Sequence, residues 1–506
     1  MTKVNPFRIF KNASANVARG MAAALVALVL PPFLTRSMSP AAYGAWVLIL
    51  QFSGYISYLD FGIQTAVGRF VAYANERSDR DYRDRIVSTS LVALSVAGVL
   101  ALIGSFVAAL LLPHVFQKMP SDLLEPARIA VLLVAGSLAI GLPFSAFNGV
   151  FVGLHRYDIP AITVGGSRIL SAVLLIAVVR YGGGLVSMGI AAMTVNLLSY
   201  VIQYAAYRRL APDMSLNSSL VTHAAFRELF DYCFSLSIWS FAVLLVTGVD
   251  LILVGFFQYQ EVAFYAVAAT LVMFLGGLHN AIFSTLLPSA AALHARGSSA
   301  GLGRMLITST RYGAFLLLFT GIPLLVWAPE ILRVWVGPLY AAHASTYLRV
   351  LVVANMIRLC AAPYSVLLIG TAQQRLATVS PVMEGLTNLV ASMIGGYYFG
   401  ALGIAVGTLV GSIVAVLIHF GRNLKRTTEI QVSTKDLLRD GLMRPAVCLV
   451  PILACAAWAS TTVGSLLPTL VLVPALLLTI PLTWRCGILE NERQWLKSRM
   501  LRGSRQ

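Results

Sequence analysis

Charge is what this chain has least of. Asp, Glu, Lys and Arg make up 11% of its 506 residues, where a soluble domain carries about a quarter. That scarcity excludes a large water-facing surface. Acidic residues are the rarer kind, 20 against 37 Lys and Arg. The five cysteines (Cys233, Cys360, Cys448, Cys455 and Cys486) lie in or beside apolar segments, with no pairing pattern and no Cys-x-x-Cys. Disulfide frameworks and cysteine metal clusters are therefore not expected. There is no Walker A sequence, no His-Glu-x-x-His, no nucleophile elbow and no paired-carboxylate constellation, so nothing points to ATP hydrolysis or metal-assisted hydrolysis. Polar loops are short, the longest near 208–233 and 421–444, and leave no room for a soluble catalytic domain. The sequence predicts neither an enzyme nor a cofactor.

What is present is apolar: 58% of the residues are hydrophobic. Runs such as 91–112 and 445–459 make lipid the natural solvent. In lipid every backbone polar group must be satisfied internally, by helices or by a closed barrel. A barrel shows alternating segments of about ten residues, whereas these runs are long and unbroken, so helices are expected. A spanning helix needs about 20 mostly apolar residues. About fourteen candidates follow, near 15–35, 43–63, 88–112, 128–150, 159–180, 185–207, 234–257, 262–286, 308–328, 345–369, 376–398, 402–420, 444–462 and 466–484. The first run could be mistaken for a signal peptide, but it flows through Pro31-Pro32 into the next hydrophobic segment. It reads as an uncleaved first helix.

Placing the N-terminus inside and letting loops alternate puts most of the 37 Lys and Arg on the cytoplasmic side. The other side holds only Arg36, Lys118, Arg128, Arg180, Arg333 and Arg349. This is the positive-inside pattern along the whole chain, with both termini cytoplasmic in an inner membrane. It accounts for the net charge of +17 through the anionic cytoplasmic leaflet, so no nucleic-acid partner is expected.

The chain also repeats. Tyr43 in YGAWVLILQFSGYI lines up with Tyr265 in YAVAATLVMFLGGL. LPFS at 142–145 matches APYS at 362–365, and YGGGLVSMGIA at 181–191 matches YYFGALGIA at 397–405. One near-constant offset in one orientation predicts two six-helix lobes around a central cavity, as transporters build. The expected divisions are an N-terminal lobe at 1–207, a cytoplasmic linker at 208–233 and a C-terminal lobe at 234–420. A loop, two additional helices and a basic tail fill 421–506. Spacings such as Gly403-x-x-x-Gly407 predict close helix contact.

The stretch at 31–72 carries Pro32, Arg36, Tyr43-Gly44 and Leu59-Asp60-Phe61-Gly62. It resembles the opening of the polysaccharide transporters of the multidrug/oligosaccharidyl-lipid/polysaccharide exporter superfamily. Residues 249–268, with Asp250, Gly255-Phe256-Phe257 and Tyr265-Ala266-Val267-Ala268, resemble the opening of that family's second lobe. The likeness runs over roughly 5–420. It implies export of a polyprenyl-pyrophosphate-linked oligosaccharide (an O-antigen, capsule or exopolysaccharide unit) by alternating access. Its implied partners are that substrate, membrane lipids and other polysaccharide assembly proteins. Fourteen helices also resemble the lipid II flippases. Those carry several arginines in the first helices, whereas here only Arg19 and the outer Arg36 lie there, a departure that argues against lipid II.

Charge within a span costs at least a few kcal/mol, so it faces a cavity or a partner. Arg168 and Arg358 are candidate contacts for pyrophosphate or an acidic sugar, or else members of structural ion pairs, for Arg168 with Glu384 or Asp250. Arg19 either meets phosphate at the cytoplasmic side or snorkels. Asp250, Glu384 and Asp60 are candidates for gating or coupling. Asp60, beside Gly62, reads as a helix-end or hinge residue. His279 and Asn280 read as packing or hydrogen-bonding residues. The alternatives kept beside the flippase are a cation-coupled multidrug exporter of the same superfamily and a membrane-embedded polysaccharide polymerase or ligase.

Overall fold

The structure is a computed structural model that describes residues 24–448 together with 474, 477, 481–487, 490, 493 and 494. Arg19 and nearly all of the expected last two spans lie outside those residues. Among the described residues there is no β-strand, and ten spans are long and apolar enough to cross a membrane. The chain is an all-α polytopic membrane protein.

The helices follow the expected order; the first is shorter than those ten spans, and the helices at 374–399 and 401–426 count among them as one. They are α1 (Ala24–Ser37), α2 (Pro40–Arg77), α3 (Arg80–Val115), α4 (Ser121–Gly153), α5 (Asp158–Arg180) and α6 (Leu185–Leu210). Next come α7, in two pieces (His223–Thr247 and Asp250–Phe257), α8 (Tyr259–Ala295), α9 (Ser299–Val326) and α10 (Pro338–Gly370). Then α11 (374–399) and α12 (401–426) fold back on each other at Gly400, whose φ of 60° and ψ of −141° end the helix. A last stretch, α13, covers 434–448.

Glycine and serine make the α11–α12 hairpin possible. A Cβ on Gly403 would lie 2.0 Å from the Gly395 carbonyl, and one on Gly407 2.3 Å from Ser392 Oγ. The expected small-residue contact at Gly403 and Gly407 is therefore present, with backbones close enough for Ser392 to donate to the Ile404 carbonyl at 3.1 Å.

Several segments expected as basic loops are helix instead. Residues 63–77 continue α2 after a break at 56–62, where Phe61 and Gly62 both take positive φ. Residues 286–295 continue α8 after its own break. The segments reach past the apolar runs because one face carries Ile63, Val67, Phe70 and Val71 into a core while Arg69 and Arg77 stay outside. A hydropathy window averages that face away.

Prolines set many of the joints. Pro32 has no N–H to give the Leu28 carbonyl one turn back, and the Trp335 indole donates to it instead at 2.8 Å. Pro113 likewise frees the Ala109 carbonyl, which accepts from Arg128 Nε at 3.2 Å. In the second half Leu325, four residues before Pro329, accepts from Arg349 Nε at 3.0 Å. Two of the six cations expected on the outer side are thus hooks on freed carbonyls, one in each half. Two more bridge the halves: Lys118 Nζ donates to the Phe257 carbonyl at 2.6 Å, and Arg36 reaches the Val334 and Trp335 carbonyls.

Each half also fastens the segment that follows its sixth helix. After α6, Asp84 on α3 accepts from the Ser215 amide and hydroxyl, and Arg83 bonds both Asp84 and Asp213. Partial burial opposes ionisation of Asp213, but the bonds from Arg83 outweigh it and hold the carboxyl below its usual range. After α12, the Gln431 carbonyl lies where a Cβ on Gly303 of α9 would sit, 2.3 Å away, and Ile430 is buried.

Candidate translocation site

Three apolar cores set the overall state of the molecule. One joins both halves: Trp46, Ile49 and Phe116 of the first with Val262, Tyr340 and Ala401 of the second. It lies at the end poor in Lys and Arg. At the basic end the cores are separate. Phe70, Ile86, Phe147 and Tyr207 form one, with Leu229 from the first piece of α7. Leu306, Tyr364, Leu367 and Phe420 form the other. Apart from the opening of α7, whose Leu229 and Cys233 pack into the first half's core, no buried apolar cluster among the described residues links the halves there.

The second half buries charge between its helices. Asp250 begins the second piece of α7 and is 8% exposed. Its carboxylate accepts from Thr408 Oγ1 at 2.8 Å, Asn388 Nδ2 at 3.1 Å and Tyr265 OH at 3.3 Å. These donors come from α12, α11 and α8, so one carboxylate ties four helices. One turn from Asn388, Glu384 is 5% exposed and lies 3.8 Å from Arg358 NH1. Its Oε1 has no hydrogen-bond partner among the described residues, so the pair is ionic contact without a hydrogen bond. Arg358 spends its other terminal nitrogen on Asn355 Oδ1 at 2.6 Å, and Asn355 Nδ2 has no partner among the described residues.

The candidates thus separate. Arg358, Glu384 and Asp250 fall in one neighbourhood, and Arg358 takes the pairing with Glu384 that had been considered for Arg168. Arg168 lies exposed on α5 in the other half. Asp60 stands in the break of α2, where its carboxylate accepts from the Gln64 amide at 3.3 Å and from Ser145 Oγ at 2.9 Å. From two residues before the Gly62 N-cap it bonds the first turn of the helix that restarts there and hooks it to α4. His279 is fully buried, with Nδ1 2.7 Å from the Leu275 carbonyl and Nε2 unpartnered among the described residues. Asn280 is exposed.

Sequence reasoning passed over the donors around Asp250. Asn388, Thr408 and Tyr265 are uncharged, and only their helical register toward one carboxylate singles them out. It also passed over the first half's neutral network. There Asn148 Nδ2 donates to Gln203 Oε1 at 3.0 Å, Gln203 Nε2 to Ser199 Oγ at 3.0 Å and Ser199 Oγ to the Thr163 carbonyl at 3.1 Å. No cluster of three His, Cys, Asp or Glu side chains suited to a metal occurs among the described residues.

Two helical halves sharing a core at one end, with Asp250, Glu384 and Arg358 gathered in one of them, make up the fold of this membrane protein. Solved structures agree. The lipid II flippase MurJ in its inward closed conformation superposes with a TM-score of 0.72 at 13% identity, over 94% of this chain and 98% of that one. An inward-facing multidrug resistance MATE family transporter of the MOP superfamily gives 0.61 at 16% identity, over 85% and 96%. In sequence, the uncharacterized membrane protein EpsK of Bacillus subtilis (strain 168) is 23% identical over 416 residues, 80% of each chain. The family described as polysaccharide biosynthesis protein matches residues 9–294, and the chain belongs to it.

Proposed function

We propose that the protein is a flippase that carries a polyprenyl-pyrophosphate-linked oligosaccharide from the cytoplasmic to the outer leaflet by alternating access. The observation that carries this reading is the core arrangement, joined at one end and divided at the basic end. Such a molecule is closed to the outside and receives cargo from the cytoplasm. The flippase title of one structural neighbour and membership in a polysaccharide biosynthesis family support it. The glycan and pyrophosphate pass between lobes at 1–207 and 234–420 while the lipid tail stays in the bilayer. A pyrophosphate diester carries about two negative charges, and moving each outward gains about 2.3 kcal/mol per 100 mV when the inside is negative.

Arg358 is the cationic contact for the cargo in this reading, together with Arg168 and Arg19. Arg358 is already held by Glu384, so an incoming pyrophosphate competes with that carboxylate. Glu384 and Asp250 then serve coupling, and Asp60 serves the bend of α2. Two buried acids beside one arginine also favour the second reading, a cation-coupled exporter of the same fold.

Deletion from the host separates the two. The flippase reading expects lipid-linked oligosaccharide to accumulate on the cytoplasmic side and surface polysaccharide to fall, with little change in sensitivity to cationic drugs. Unchanged polysaccharide with marked dye accumulation overturns it. Orientation is tested by cysteines introduced at 118 and 260, which should label from outside, and at the exposed positions 80 and 217, which should not.

A further inference from the structure

The two pieces of α7 meet at a kink, where Gly248 and Val249 keep right-handed helical φ and ψ while the hydrogen-bond ladder is interrupted. In an unbroken helix the Ile252 amide would donate to the Gly248 carbonyl. Here Ile252 and Leu253 both donate to Val249 O, each at 3.1 Å. The Gly248 carbonyl is instead taken by two side chains of the other half: Gln51 Nε2 at 2.9 Å and the Tyr55 hydroxyl. Gln51 and Tyr55 stand one turn apart on α2, so both reach the same point. A carbonyl oxygen has two lone pairs, and both are engaged. It cannot also accept the helical bond from Ile252, so the broken helix with α2 attached and the straight helix with α2 released exclude each other.

The site stands at a boundary. Before the break, α7 contributes Leu229 and Cys233 to the first half's own core; after it, Val254 belongs to the shared core. Little room exists for anything but glycine at 248: a Cβ would lie 2.7 Å from the Leu244 carbonyl and 3.2 Å from Tyr55 Cε1. Two residues on, Asp250 is fixed by Thr408, Asn388 and Tyr265. Turning Ile252 toward Gly248 rotates Asp250 against those donors.

We propose that the Gly248 carbonyl is a latch between the halves, bonded to Gln51 and Tyr55 when α7 is broken and to Ile252 when α7 runs straight. The latch makes the separation of the halves and the surroundings of Asp250 change together. It is a bistable element of the kind that conformational change requires.

The test reads conformation and not cargo, so it stands or falls apart from the flippase reading. Full-length protein in nanodiscs carries spin labels at Gln117→Cys and Val334→Cys, one on each half at the joined end, in a background without the native cysteines. Distances between the labels are measured by pulsed electron resonance. The parent should show one short population. Gln51→Leu combined with Tyr55→Phe, which removes both donors, should add a longer population, and Gln51→Leu alone should give an intermediate shift if the pair does not fold. Ile252→Pro removes the amide that a straight helix needs and sits in a first turn where proline is tolerated. Added to the donor-free variant, it should restore the short distance. A distribution unchanged by loss of the donors, or a long population that persists with Ile252→Pro, overturns the latch.

Discussion

Between α4 and α6 the first half buries a ladder of neutral groups, Asn148, Gln203 and Ser199. Among α7, α8, α10, α11 and α12 the second half buries Asp250 and Glu384 beside a partly buried Arg358. The helical plan is shared down to the breaks in α2 and α8 and the arginine hooks on the carbonyls of Ala109 and Leu325. Neutral amides that bond one another change little when a distant partner leaves. A buried ion pair is sensitive to any third charge, because neither member tolerates isolation. Outside the Arg83 clamp at the start of α3, the first half therefore holds little charge that a third could disturb, and under the proposed function the second half holds the groups whose pairing responds to cargo.

The largest expected effect is at Arg358. Arg358→Ala strands the Glu384 carboxylate and should cost about 3 kcal/mol, seen as a lower unfolding midpoint in detergent, and should reduce surface polysaccharide. A second change, Glu384→Gln, should return most of the stability but not the export. Recovery of both would make the pair purely structural.

Next is Asp250→Ala, which removes the carboxylate shared by Thr408, Asn388 and Tyr265 and leaves Thr408 only the Ile404 carbonyl at 3.3 Å and Asn388 only the Leu245 and Val246 carbonyls at 3.5 Å. A loss of about 2 kcal/mol is expected, and Asp250→Asn should restore part of the stability while export stays impaired. Normal export by Asp250→Asn would remove the carboxylate's charge from the mechanism.

The same treatment of the first half should do far less. Asn148→Leu with Gln203→Leu removes both partners at once, a change that is nearly neutral when shape is kept. Stability should move by under about 1 kcal/mol and polysaccharide export should hold. A collapse of export there would erase the contrast between the halves.

The smallest effects belong to the hooks. Arg128→Met should cost about 1 kcal/mol, and Pro113→Ala should cancel it by returning a helical N–H to Ala109. If Pro113→Ala gives no relief, the carbonyl was not what Arg128 served.

The helices were legible because each is a long apolar run, and the twelve expected from α1 to α12 are found in order. The repeat was legible from short matches such as LPFS and APYS, although the two serines bond different groups: Ser145 bonds Asp60, and Ser365 Oγ lies 3.3 Å from His419 Nε2. What the sequence left open was pairing. Arg358, Glu384 and Asp250 each stood out as a charge within a span, but which arginine meets which acid depends on the rotation of three helices about their axes. Hydropathy is blind to that rotation. The helical ends at 63–77 and 286–295 were hidden for a related reason, since their apolar faces are narrow and flanked by arginine and by polar residues. The clamp of Arg83 on Asp84 and Asp213 had no signal at all, because it joins a helix start to a segment with no periodicity of its own.

The fastened segments after α6 and α12 have one more consequence. The first leads into α7, whose opening leans on α3 through Tyr82 OH and Glu228 Oε1 at 2.7 Å. The second leads into α13, where Gly441 sits against Thr310 of α9. In each case the chain crosses beneath the third helix of a unit and starts a new helix beside it. Residues 434–448 therefore start beside α9 as α7 starts beside α3. The third helix of each half thus carries a face that receives the helix following that half, and that helix is added without remaking the half's own core.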